Sequence, residues 1–99
     1  MKRLEVSGRA RNEIERAARW WVANRPDAPT LLREELEHCF DLLEQGASIG
    51  ERCGERRGQE IFRVVLKRTQ KKLYFVRPGP DAVKVLALWG GQRGREPKL

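Results

Sequence analysis

The chain has 99 residues, 39% of them hydrophobic, and a formal charge of +7 from 21 Lys and Arg against 14 Asp and Glu. A chain of this length makes one small domain that buries roughly 65% of the surface its unfolded form exposes, which leaves a narrow stability margin. It has no apolar run near the roughly 18 residues of a membrane span, and Met1-Lys2-Arg3-Leu4-Glu5 lacks the apolar core of a signal peptide, so a soluble cytoplasmic protein with no membrane partner is expected.

Cys39, Cys53 and the single His38 have neither the number nor the spacing of a disulfide framework or zinc site, so neither metal nor cofactor is expected. Charge says more. Residues 1–50 carry 8 Lys and Arg against 9 Asp and Glu, net −1, and residues 51–99 carry 13 against 5, net +8, which together give +7. A basic half beside a balanced one points to an acidic partner, either nucleic acid or an acidic protein segment.

In chain order, Arg3-Leu4-Glu5-Val6 alternates and precedes Ser7, a good helix N-cap, which predicts a short strand feeding a helix. Between Gly8 and Asn24, Ile14, Ala17, Ala18, Trp21 and Val22 fall on one helical face, with Trp20 at its edge to close the core or meet a partner. Asn24-Arg25-Pro26-Asp27-Ala28-Pro29 is turn chemistry, with Asp27 as candidate cap and Pro29 suited to a first helical turn. The second helix has Leu32, Leu36, Cys39, Phe40 and Leu43 as its buried stripe and Gly46 as its left-handed stop, and the short joint implies an antiparallel helical hairpin. Glu34, Glu35, Glu37, Asp41 and Glu44 read as a solvated face with His38 exposed among them, not as paired catalytic carboxylates.

Gly46 to Gln59 contains four glycines and several charges, and predicts a mobile loop that carries Cys53. Strand chemistry returns at Glu60–Lys67, where Phe62, Val64 and Leu66 share a face, then at Leu73–Arg77 and, after the turn Pro78-Gly79-Pro80-Asp81, at Ala82–Trp89. Gly90 and Gly91 end the last strand, and residues 91–99 leave as a basic tail. The outline is β-α-α-β-β-β: a single α+β domain over residues 1–99, with a helical hairpin packed on one face of a small antiparallel sheet. Arg63, Lys67, Lys71, Lys72, Arg77 and Lys84, with Arg93, Arg95 and Lys98, are then expected to form a basic, apolar-spotted surface opposite the helices.

The residues also carry a resemblance. Val6-Ser7-Gly8-Arg9-Ala10, Ala17-Ala18-Arg19-Trp20-Trp21 with Asn24-Arg25-Pro26, Glu34-Glu35-Leu36 into Leu42-Leu43, Ile49-Gly50, Arg63-Val64-Val65-Leu66, and Val85-Leu86-Ala87-Leu88-Trp89-Gly90 followed by Arg93-Gly94 stand in an order that resembles the RelE/ParE superfamily of bacterial type II toxins, and more its ParE branch. The resemblance spans nearly the whole chain and implies a toxin held inactive by a ParD-like antitoxin encoded beside it. The implied target is DNA gyrase for the ParE branch and mRNA on the ribosome for the RelE branch; a related binding module or inactive toxin is the third alternative.

Cleavage of mRNA needs a general acid and base beside cations. The chain offers many cations but only one tyrosine, Tyr74, no Tyr or His after Trp89, and Gln70-Lys71-Lys72 where family members often carry an aromatic or His. No catalytic residues are therefore assigned, and a non-enzymatic gyrase inhibitor is the expectation, with Glu96 or a lysine as substitute groups if the chain is a nuclease. The expected target-binding residues are Arg63, Arg77, Trp89, Arg93 and Arg95, with Trp89 as anchor. The expected antitoxin-binding residues are Trp20, Lys71, Lys72 and Lys84.

Overall fold

Ser7 accepts a hydrogen bond from the backbone N–H of Ala10 at 3.0 Å and so starts the first helix as its capping chemistry predicts. The computed structural model describes residues 1–90 and 96–99. Its elements are β1 (Arg3–Val6), α1 (Gly8–Asn24), α2 (Leu31–Glu44), β2 (Glu51–Arg56), β3 (Gln59–Leu66), β4 (Lys71–Gly79) and β5 (Ala82–Trp89). The strands form one sheet in the order β1-β5-β4-β3-β2, with β1 parallel to β5 and the other neighbours antiparallel.

The α+β layering expected from the sequence is found. Ala10, Trp21, Leu32, Leu36, Cys39 and Leu43 of the two helices meet Leu66, Leu73, Phe75, Val83, Val85 and Leu88 of the sheet in the main core. Phe62 stacks on Phe75 beneath them, with ring centroids 5.5 Å apart. The joint is fixed by Trp21, whose indole N–H donates to the carbonyl of Ala28 at 2.9 Å. Val22, expected in the buried stripe, is 56% exposed, because the helix packs through Trp21 and Val22 lies a further 100° round the wheel. The second helix begins from Thr30, not Asp27. Gly46 ends it with φ +79°, and the N–H groups of Gly46 and Ala47 return to Leu43 and Leu42.

The largest departure is β2, which lies in the stretch expected to be a loop. It forms a hairpin with β3 through Arg57 and Gly58, both at positive φ (51° and 79°), the two-residue turn whose twist suits antiparallel strands. As an edge strand it buries little, and its alternating charges supply no apolar periodicity. The strand is bulged between Arg52 and Gly54, and the bulge places Cys53 on an edge strand, not in a loop. Gly50, just before it, sits at φ +87°, where an added Cβ would lie only 3.0 to 3.3 Å from Val64, the Arg63 carbonyl and Phe75. No helix among the described residues is long and apolar enough to cross a membrane.

Candidate functional site: the open sheet face and its rim

Strand register sorts the chemistry on the face away from the helices. Three cross-strand rows lie there: Ile61, Val76, Lys84 and Glu5; Glu51, Arg63, Tyr74 and Ala87; and Val65, Lys72 and Trp89. A bulge in β5 brings both Leu86 and Ala87 to this side, where Ile61, Tyr74, Val76, Leu86 and Ala87 make a second, smaller core. The face expected to be partly wet is therefore apolar at its centre.

Part of the segment expected to stand out as a tail folds across that centre. Glu96 accepts from Arg63 Nη1 at 2.7 Å and from the hydroxyl of Tyr74. Pro97 is buried, Leu99 packs against the second core, and the carbonyl of Lys98 accepts from Arg9. Arg63 also donates to Glu51 at 3.3 Å, so this cation, expected to be free for a target, is paired with two carboxylates. Its Nε is buried with no partner among the described residues, as is Nε1 of Trp89. Tyr74 is 1% exposed, and burial followed by its bond to Glu96 pushes its phenol up to about 12. At neutral pH it is a donor and not a base.

The expected site residues divide between two faces. Arg63 and Trp89 belong to the open face, with Lys72 beside Trp89 and Lys84 beside Val76. Arg77 does not join them. It follows the parity of Leu73 and Phe75 to the helix side, where its guanidinium covers Phe62 and Phe75 at 5.2 and 5.5 Å from the ring centroids. Lys71 takes the same side and meets Trp20 in a groove of about 330 Å³ that also involves Glu13, Arg16, Leu88 and Trp89. Trp20 is 48% exposed, stands 5.8 Å from Trp21, and has Arg25 above it at 5.6 Å, which makes it a surface aromatic and not a closing core residue. The expected antitoxin set is thus divided: Trp20 and Lys71 share a groove on the helix side, while Lys72 and Lys84 lie across the sheet in separate rows with the Arg63–Tyr74–Ala87 row between them. Arg93 and Arg95 lie outside the described residues.

Two carboxylates that the sequence reading passed over hold this frame in place. Glu35, expected in the solvated face of α2, accepts from the N–H groups of Arg68 and Thr69 at 2.8 and 3.1 Å and from the Thr69 hydroxyl at 2.7 Å. It caps the β3–β4 turn, in which Gln70 has φ 63°. Glu13 accepts from the N–H of Leu88 at 3.1 Å at the end of β5 that β1 is too short to pair. His38 is exposed on α2, as expected, and belongs to the helix layer and not the open face.

Two helices packed on one face of a mixed five-stranded sheet in the order β1-β5-β4-β3-β2 make a ParE-like fold. A solved chain described as "Chromosomal ParDE TA system from P. aeruginosa" shares it, with TM-score 0.67 and 16% identity over 90% of this chain and 95% of that one. No family model matches the sequence, and none of the curated proteins does.

Proposed function

We propose that the chain is the toxin of a type II toxin–antitoxin pair, which arrests bacterial growth by binding DNA gyrase and is neutralised by a ParD-like antitoxin. The observation that carries this reading is the fold shared with the ParDE chain across nine-tenths of this sequence. A net charge of +8 on residues 51–99 and the exposed Trp20–Lys71 groove add surfaces suited to acidic partners. Binding without catalysis is supported by the state of the one tyrosine, protonated and covered, and by the position of the one histidine in the other layer. A ribosome-dependent mRNA endonuclease is the second reading, and the meeting of Arg63, Tyr74 and Glu96 on one face is what favours it.

Purified gyrase separates the two. Incubated with relaxed plasmid, ATP, gyrase and this chain, the reaction is expected to accumulate protein-linked DNA breaks or to lose supercoiling activity, in proportion to the chain added. Unaltered gyrase activity together with mRNA cleavage on purified ribosomes would replace the first reading with the second. Arg93→Ala with Arg95→Ala is expected to weaken the gyrase effect while leaving the melting temperature nearly unchanged.

A further inference from the structure

Residues 96–99 lie on the open face as a ligand lies on a receptor. They bring one carboxylate, held by Arg63 and Tyr74, and two apolar side chains, Pro97 and Leu99, seated on or beside the floor of Ile61, Tyr74, Val76, Leu86 and Ala87. The seat is larger than its occupant needs, since a groove of about 310 Å³ continues beside Cys53, Ile61 and Glu96 and Arg63 retains a buried donor with no partner among the described residues. We propose that Arg63, Tyr74 and this apolar floor form a peptide-binding site for an acidic, apolar segment of a partner chain, and that residues 96–99 are its competing occupant in cis.

The chemistry of the cis occupant selects a peptide over a nucleic acid. A phosphodiester satisfies Arg63, but its bases seek aromatic faces to stack on and the floor of Ile61, Val76 and Leu86 is aliphatic, whereas a carboxylate flanked by apolar side chains satisfies both. An occupant tethered to the same chain acts at millimolar effective concentration, so a partner must displace it and its apparent affinity is reduced by the fraction of chains in which the seat is open. The site stands apart from the identity of any poisoned target, and its test reads binding alone, so loss of the toxin reading leaves it intact.

The test uses the full chain and a fluorescein-labelled pentapeptide, Arg-Glu-Pro-Lys-Leu capped at both ends, followed by anisotropy. Weakening the cis occupant with Glu96→Gln and Leu99→Ala is expected to tighten peptide binding about tenfold or more, since a charged hydrogen bond and an apolar anchor are both lost from the competitor. In that background Tyr74→Phe, which removes only the hydroxyl, and Arg63→Lys, which removes the guanidinium fork, are each expected to reverse most of the gain, as is a peptide with Gln in place of Glu. Circular-dichroism melts confirm folding, and Tyr74→Phe decides the matter if Arg63→Lys does not fold. Peptide binding that does not tighten in the weakened chain, or that ignores Tyr74→Phe and the Gln peptide, overturns the proposal. So does a single-stranded oligonucleotide that gains affinity there when the peptide does not.

Discussion

Replacing Glu35 with Ala should be among the costliest changes on what the sequence presents as a solvated helix face. Its carboxylate accepts three hydrogen bonds from the β3–β4 turn, and Thr69, which makes two of them, is only 6% exposed. The Arg68 N–H lies at the exposed end of the turn and can return to water. The N–H and hydroxyl of Thr69 cannot do so easily, and two unsatisfied buried donors to a charged acceptor cost about 2 to 3 kcal/mol. For a domain near 100 residues, where 1 kcal/mol shifts the midpoint by roughly 4 to 8 °C, the melting temperature should fall by about 10 to 20 °C. Glu35→Gln keeps one acceptor oxygen and should recover about half of that loss. In a Thr69→Val background the Glu35→Ala cost should shrink by about 1 kcal/mol, because the hydroxyl donor is already gone while the two backbone N–H donors remain. Thermal melts at one pH of the five chains, the unaltered one among them, measure all of this. A Glu35→Ala cost below about 0.5 kcal/mol, the usual range for a surface change, would refute the capping role.

Alkaline titration gives a second check, because the chain has one tyrosine and its phenolate absorbance is assignable. Tyr74 is pushed from 10.0 to about 12 by burial and then by Glu96, so its protonated form contributes stability that is complete below pH 10 and lost as pH rises through about 12. Absorbance near 295 nm should show a midpoint about two units higher folded than in denaturant, and coincident midpoints would contradict the burial. Thiol labelling should be biphasic, with Cys53 on the exposed edge strand reacting first and Cys39, buried and pushed up to about 11, reacting only as the chain opens; equal rates would place both in one environment. Gly50→Ala should destabilise by more than about 1 kcal/mol, because φ +87° disfavours a side chain and the new methyl meets Val64 and the Arg63 carbonyl at 3.0 and 3.1 Å. A neutral result by chemical denaturation would mean that the β2 approach is not held as tightly as these distances require.

The helices, three of the four antiparallel strands and the main core were legible because each carries an apolar period set by one buried face. Ser7, Gly46, Leu32, Leu36, Cys39 and Leu43 do what their spacing implies. What escaped was polar and tertiary. The strand β2 has no apolar stripe, and only the Arg57-Gly58 dipeptide hinted at a hairpin. Glu35 and Glu13 look like any helix-surface carboxylates until the chain brings the Thr69 turn and the Leu88 N–H beneath them, contacts 34 and 75 residues distant in sequence. Simple strand parity was enough to separate Arg77 from Arg63, since Arg77 stands two places from Phe75; counting it with the open face passed over that signal. The return of Glu96, Pro97 and Leu99 to the sheet had a weaker trace, one acid and two apolar groups within four residues of an otherwise basic run.

The proposed function, a growth-arresting toxin with a protein antidote, is tested most directly by induced expression in a bacterium. Inducing the chain alone should stop growth, with DNA breaks and the SOS response appearing before or without mRNA cleavage. Inducing it together with a cognate ParD-like antitoxin should restore growth. Undisturbed growth at a stable, high level of the folded chain would contradict the account.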